Sequence, residues 1–439
     1  MDVFWGRLNI NNACTLGRAG SSKTAVSRRS FHTVMANASS ASDGHRKPSL
    51  KTLLVQSEGY VEDAFDASMP PIYQTATFGQ PGALENGEYD YSRSGNPTRT
   101  VLERQMAIIE NATRAFAFSS GMSALATVTR LLSCGDHIVA GDDLYGGTSR
   151  LLSRVIPAAG ITVTNVPTNE VEAVKSAIVP GKTKLIMIES PTNPRMQICD
   201  IKAISTIAKE VGALLCVDNS IMCSLYQNPL DLGADISMTS ATKFIGGHSD
   251  VTAGILAVRD KELADKIYFL QNAEGTALGP MDCWLLIRGL KTMALRMERQ
   301  ASNAQKIAEW LVKHPLVKKV NYPGLESHPG HNLHFKQASS PGSIISFITG
   351  DSKLSKAICE ATKLYKITVS FGNVHSLISM PSYMSHASIP AHVRAERGLP
   401  DDLVRISVGI EDVDDLIHDL DVAFKEAISI TGKNVTMHV

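Results

Sequence analysis

The chain has 439 residues, of which 44% are hydrophobic and 20% charged, the proportions of a globular protein with a substantial core. Forty-three basic residues balance 43 acidic ones, so no net field draws it to nucleic acid or to an anionic membrane, and small molecules or other subunits are the expected partners. No uninterrupted apolar run approaches the ~20 residues that a bilayer crossing needs, so a membrane span is not expected.

Residues 1–48 are rich in Ser, Ala, Thr, Asn and Arg, and after Asp2 no acidic residue appears until Asp43. This is the composition of an organelle transit peptide. Val34-Met35-Ala36 suits plastid processing and Arg28-Arg29-Ser30-Phe31 suits a mitochondrial presequence, while a plain disordered tail fits the same composition. The plastid stroma is the expected location, with the mitochondrion or cytosol as alternatives. The seven cysteines are scattered, odd in number and without a CxxC pair, which reads as reduced thiols. Cys216, inside an apolar run, is expected to be buried and inert.

From about residue 112 short apolar runs alternate with amphipathic stretches, the pattern of a mostly parallel sheet covered on both faces. The strands are expected at Ala115–Phe118, His137–Ala140, Ile161–Val166, Lys184–Ile188, Ala213–Val217 and Ile236–Met238. Helices are expected at Ser123–Leu132, Tyr145–Val155 and Ile201–Val211, where apolar residues return every three or four positions. Past residue 300 the order changes. A helix at Ser302–Val312 precedes strands at Val317–Tyr322, Ser343–Ile348, Thr368–Phe371 and Val404–Val408, and an amphipathic helix covers Val413–Ala427. The expected architecture is therefore α/β, with a large, mostly parallel-sheet domain and a smaller C-terminal α+β domain.

In such sheets ligands bind at the carboxyl ends of the strands. Asp218 ends one run, where a buried carboxylate needs a cation such as a protonated ring nitrogen; a helix cap or an Asx turn fits the same residue. The next run leads into Ser240-Ala241-Thr242-Lys243-Phe244-Ile245-Gly246-Gly247-His248. Its hydroxyls and amides can hold a phosphate, and a lysine in an apolar pocket can lose its proton and attack an aldehyde. Ser119-Ser120-Gly121-Met122 opens a helix, whose free amides favour an anion, although such a turn is also a common connector. Tyr145 supplies an aromatic face near the same edge or simply packs in the core. His248 and His386 have no partner at ligand spacing, so no metal is expected.

Five ordered motifs carry a resemblance that covers residues 49 to about 427. They are Tyr91-Ser92-Arg93-Ser94-Gly95-Asn96-Pro97-Thr98, Ser119-Ser120-Gly121-Met122, Glu189-Ser190-Pro191-Thr192-Asn193-Pro194, Val217-Asp218-Asn219 and Ser240-Ala241-Thr242-Lys243. Through them the chain resembles the Cys/Met-metabolism family of pyridoxal-phosphate (PLP) enzymes. Within that family it is most similar to the plant-type cystathionine β-lyases, through Gly247-His248-Ser249-Asp250-Val251, Ser376-Leu377-Ile378-Ser379-Met380-Pro381 and Met384-Ser385-His386-Ala387-Ser388-Ile389-Pro390.

The resemblance implies the fold type I, aspartate-aminotransferase architecture and a PLP cofactor. It makes Lys243 the Schiff-base lysine and Asp218 the partner of the pyridine nitrogen. Gly121, Met122, Ser240 and Thr242 would hold the phosphate, Tyr145 would stack on the ring, and Asn193 would lie near the cofactor. Tyr91 and Arg93 would reach the phosphate of a neighbouring subunit, implying a homo-oligomer with a dimer as catalytic unit and a tetramer as the assembly. Ser370 and Arg405 would hold the carboxylate of an amino-acid substrate.

The implied parts of the chain are a leader at 1–48, an arm toward the neighbouring site at 49–111, a PLP-binding domain at 112–300 and a C-terminal domain at 301–439. The implied reaction is C–S β-elimination of L-cystathionine to homocysteine, pyruvate and ammonia in methionine synthesis, with Lys243 and Tyr145 managing protons. Cystathionine γ-synthase, γ-lyase and lyases of other β-substituted alanines are the alternatives, and His375 stands where several family members carry glutamate.

Overall fold

The computed structural model describes residues 48–56, 65, 67–387 and 390–432. The expected leader, apart from its last residue, and the end of the chain from Lys433 lie outside the described residues. Asn96 opens the helix Pro97–Ile109: its side chain accepts from the backbone N–H groups of Thr98 and Arg99, and Pro97 occupies the first turn, where no donor is needed.

A seven-stranded sheet follows. Its strands are β1 (Arg114–Phe118), β2 (His137–Gly141), β3 (Thr162–Val166), β4 (Thr183–Glu189), β5 (Leu214–Asp218), β6 (Ile236–Thr239) and β7 (Gly254–Val258), in the order β1-β7-β6-β5-β4-β2-β3. The five strands from β3 to β6 in that order are mutually parallel, and β7 runs antiparallel to both its neighbours. The first six strands lie within about two residues of their predicted positions. β7 was not anticipated because the chain returns from β6 without a crossover helix, so the strand–helix alternation breaks there.

Side-chain alternation splits the core in two. Cys216 of β5 joins Leu185, Met238 and Leu256 on one face, while Leu215 and Val217 join Ile186, Ile204 and Ala208 on the other. The helix Ile201–Val211 that covers the second face is capped by Asp200, whose side chain accepts from Ala203 N–H, and stops at Gly212 in the left-handed region. Cys216 is buried, and burial pushes its thiol far up, so it packs as a small apolar group.

A smaller sheet is built from β8 (Lys319–Asn321), β9 (Ile344–Ile348), β10 (Lys366–Ile367), β11 (Leu377–Ser379) and β12 (Leu403–Ser407), in the order β10-β11-β12-β9-β8. Its Ile345, Phe347, Val404 and Ile406 pack against Ile307, Leu416 and Phe424 from the helices Pro280–Lys313 and Val413–Thr431.

Two expectations need correction. The segment Thr368–Phe371 is not a strand: Thr368 N–H still donates to the Ile378 carbonyl at 3.3 Å, but Ser370 has φ +93° and Gly372 φ +81°, and Arg405 Nη2 donates to the Ser370 carbonyl at 2.7 Å, so the backbone leaves the sheet after Thr368. The helix predicted at Ser302–Val312 is the end of one that begins at Pro280 and runs 34 residues. Gly289 lies inside it, where a Cβ would come within 2.5 Å of the Ile245 carbonyl oxygen, so close packing against the segment after Lys243 explains a residue that propensity alone disfavours. Among the described residues no helix is long and apolar enough to cross a membrane.

Candidate active site

The carboxyl ends of β4, β5 and β6 deliver Glu189, Asp218 and Ser240 to one edge of the large sheet. Beside them a cavity of about 460 Å³ is lined by Gly121, Met122, Tyr145, Asn193, Asp218, Ser240, Thr242, Lys243, Ser370 and Arg405, among others. These residues span nearly 300 positions of sequence, and the sheet edge is what brings them together.

Lys243 follows β6 by a few residues and points its amine at Ser370 Oγ, 2.6 Å away. Burial, and then the charge of Arg405, push this amine down to about 8, against the opposing pull of Asp218. Its ammonium also lies 4.8 Å from the centre of the Phe371 ring. Asp218 accepts from Ser220 N–H at 2.9 Å, so the Asx turn read in the sequence is present, and the same carboxylate also lines the cavity. Burial raises its pKa, while its bonds to Ser220 and the charge of Lys243 lower it.

At the other side, the helix Gly121–Thr129 begins with its N-terminus on the cavity, and Ser120 Oγ caps it by accepting from Ser123 N–H at 3.0 Å. A Cβ on Gly121 would come within 3.1 Å of Ser240 Oγ, so the absence of a side chain is what lets the turn and the Ser240 segment approach. Thr242 Oγ1 accepts from Ala253 N–H at 2.9 Å, which holds the loop after β6.

Arg405 comes from β12 of the smaller sheet and is buried. Two fixed acceptors orient its guanidinium: Asn193 Oδ1 takes Nη1 at 2.9 Å and the Ser370 carbonyl takes Nη2 at 2.7 Å. Its Nε, also buried, has no partner, an arrangement with donor capacity in reserve for an anion. Burial pushes Arg405 down to about 10, still charged at neutral pH.

Tyr91 and Arg93 do not line this cavity. They lie on the surface, with the Arg93 guanidinium 5.1 Å from the Tyr91 ring centre and Arg93 Nε donating to Asn272 at 3.2 Å. His386 is buried and bonded to the carbonyls of Leu144 and Asn193, each at 3.2 Å, and His248 is held by the Gly246 carbonyl at 2.7 Å.

Glu189 is a further wall residue, with no role of its own expected from the motif that it opens. Its Oε1 accepts from Tyr145 N–H at 2.9 Å, which fixes the residue that begins the helix Gly146–Arg150. Burial, and then the charge of Asp218, raise its pKa well above the usual carboxylate range. The same rule that singled out Asp218, a carboxylate at the end of a parallel strand, also marks Glu189.

A PLP group fits these residues. The amine for its aldehyde, the carboxylate for its ring nitrogen, a glycine-opened helix N-terminus for its phosphate and a spare guanidinium donor for a substrate carboxylate share one cavity.

Comparison with known proteins agrees. The sequence profile of the Cys/Met metabolism PLP-dependent enzymes matches residues 51–425. The chain is 61% identical over 377 residues to the chloroplastic cystathionine beta-lyase of Arabidopsis thaliana, covering 86% of this chain and 81% of that one. It is 58% identical to the corresponding chloroplastic protein of Mimosa pudica, with 86% and 82% covered. Among solved structures, cystathionine gamma-lyase from Lactobacillus plantarum complexed with L-serine superposes with a TM-score of 0.84 at 41% identity, covering 87% of this chain and 99% of that one.

Proposed function

The chain belongs to the Cys/Met metabolism family of PLP-dependent enzymes, and on that premise we propose that it splits L-cystathionine by β-elimination into homocysteine, pyruvate and ammonia. The reading is supported by the names of its chloroplastic relatives. The observation that carries it is the pairing of Lys243, its amine pushed down to about 8, with the oriented Arg405 in one cavity.

The cofactor, when bound, supplies an aldehyde that captures the substrate amine and a ring that withdraws electrons from its Cα. Arg405 and the Ser370 hydroxyl hold the substrate carboxylate, and two parallel hydrogen bonds from a guanidinium fix its plane. Held there, the substrate presents its Cα–H to Lys243. Because burial pushes that amine down to about 8, a larger share of it than of a solvated lysine is unprotonated near neutral pH and available as a base. Asp218, held in place by Ser220 N–H, would be the carboxylate that pairs with the ring nitrogen. Gly121, Met122, Ser240 and Thr242 receive the phosphate, Asn193 orients Arg405, and Tyr145 covers the cavity and manages protons with Lys243. The leaving group is a thiolate at Cβ.

Tyr91 and Arg93, exposed in the single chain, are assigned to the phosphate of a neighbouring subunit, so a dimer is the catalytic unit and a tetramer the assembly. Residues 1–48 are assigned as a transit peptide for the plastid, in keeping with the chloroplastic relatives, and the enzyme serves methionine synthesis. Residues 49–111 form the arm toward the neighbour, 112–300 the cofactor domain and 301–439 the C-terminal domain.

The test is product analysis of PLP-loaded protein given L-cystathionine. Pyruvate with homocysteine is expected. Release of 2-oxobutyrate with cysteine would instead make it a γ-lyase, and no release of either pair would refute cystathionine cleavage.

A further inference from the structure

After β11 the chain reaches the catalytic cavity, where Met384 and Ser385 form part of the wall. It meets the turn after β2 backbone to backbone: a Cβ on Gly146 would collide with the Ser385 carbonyl oxygen. The next residue, His386, is buried, and its Nε2 lies 3.2 Å from two carbonyl oxygens at once, those of Leu144 and Asn193. Carbonyls only accept, so Nε2 carries the hydrogen and shares it between them, while Nδ1 accepts from the Ser385 hydroxyl at 2.9 Å. Burial lowers the pKa of the ring against the pull of Asp143, which favours this uncharged form.

Each carbonyl leads to a part of the site. That of Leu144 belongs to the peptide unit whose N–H, on Tyr145, donates to Glu189 Oε1 at 2.9 Å. Both polar atoms of the peptide before Tyr145 are therefore held by side chains, Glu189 from the large sheet and His386 from the smaller sheet's connection, so the Tyr145 ring starts from a fixed plane. The carbonyl of Asn193 belongs to the residue whose Oδ1 takes Arg405 Nη1 at 2.9 Å. One N–H thus joins the aromatic cover of the cavity to the side chain that orients the guanidinium.

We propose that His386 is a positioning residue for amino-acid binding: its shared hydrogen bond sets the Tyr145 ring and, through Asn193, aims Arg405 at the incoming carboxylate. Without that donor two buried carbonyls lose their partner, and both segments turn toward other donors and away from the binding geometry. The proposal rests on the reading of Arg405 as the carboxylate grip, and not on the identity of the leaving group.

The experiment titrates the PLP-loaded full chain with L-alanine, which has the α-amino acid group but nothing at Cβ to expel, and follows the visible absorbance of the cofactor. Visible circular dichroism before the titration reports how the aromatic ring lies against the cofactor. Two amides replace the imidazole: in His386→Gln the amide nitrogen reaches the place of Nε2, and in His386→Asn only that of Nδ1. The Kd for L-alanine should rise roughly tenfold in His386→Asn, with a changed dichroism band, and stay within about threefold of wild type in His386→Gln, the scale of one orienting hydrogen bond. In an Asn193→Ala background the same His386→Asn change should raise Kd by less than about threefold, because the guanidinium has already lost that partner. Equal Kd values for the two amides, equal losses in the two backgrounds, or the absence of a cooperative melt in His386→Asn alone would make His386 a structural tie and overturn the proposal. An Arg405→Lys chain that binds L-alanine as the wild type does would instead overturn the carboxylate grip on which it rests.

Discussion

Glu189 and Asp218 face each other in the register of two parallel strands, and two carboxylates so close in a buried cavity do not readily share the ionised state. Glu189 is the one raised well above its usual range, whereas Asp218 has Lys243 and Ser220 to offset its burial. Glu189 is accordingly the readier of the two to take up a proton. Glu189→Gln, which keeps an oxygen for Tyr145 N–H, should leave kcat/KM within about threefold of wild type, whereas Asp218→Ala should lower kcat by at least about 100-fold, the scale for loss of a buried electrostatic partner. Both are read from initial rates, with thermal melts to show that the variants fold.

The amine of Lys243 gives a second residue-scale test. Its pKa lies near 8, so below that pH the protonated share grows and the nucleophilic share shrinks. PLP uptake by cofactor-free protein, followed by absorbance, should slow by about tenfold for each pH unit well below 8, and Lys243→Ala should end borohydride-fixable attachment. An uptake rate flat between pH 6 and 8 would contradict the lowered amine.

At the scale of elements, β7 determines where the phosphate turn sits. A Cβ on Gly254, the first residue of β7, would come within 2.5 Å of the Ser120 carbonyl oxygen and 2.8 Å of Gly121 Cα, both backbone atoms that cannot swing aside. Gly254→Ala should therefore weaken PLP binding by at least about tenfold and lower Tm, since overpacking of this kind costs about 1–3 kcal/mol; fluorescence titration of the refolded apoprotein measures it.

The legible and illegible parts of the sequence divide along such contacts. The runs that became β1 to β6 are continuous and apolar because both faces are buried, a local signal that survives in any context. Asp218 and Lys243 were visible because strand ends are where such sheets hold ligands. Thr368–Phe371 misled because Val369 and Phe371 alternate with hydroxyl residues like a half-buried strand, while the cause of its bend is Arg405, distant in sequence. Glu189 was passed over because Ser-Pro-Thr-Asn-Pro after it reads as a turn, and only the register with Asp218 shows its charge problem.

At the scale of the whole molecule, the 34-residue helix is about 50 Å long by its rise per residue. Its middle, through Gly289 and Arg296, touches the segment after Lys243, and its end, through Ile307 and Leu311, packs on the smaller sheet. One rod thus braces the lysine and carries the sheet that supplies Arg405. The proposed sharing of Tyr91 and Arg93 between subunits is testable at this scale. Protein refolded from equal amounts of Arg93→Ala and Lys243→Ala chains should regain about a quarter of wild-type activity, because half the random dimers are mixed and each mixed dimer has one intact site. Activity no higher than the average of the two separate variants would refute the shared site.

The reversed direction of β7 has a kinetic corollary. Because β7 pairs with β6, the stretch between them leaves and re-enters the sheet at neighbouring strands, and Thr242 and Ala253 are bonded across its base. Opening the backbone around Lys243 therefore means unzipping an interior ladder of the sheet, a sub-global event with a free energy near that of the sheet itself. In deuterium exchange the base of that stretch should hold its amide protons about as long as the central strands do, and the helix Ala391–Glu396, which has no buried residue, should surrender its protons first.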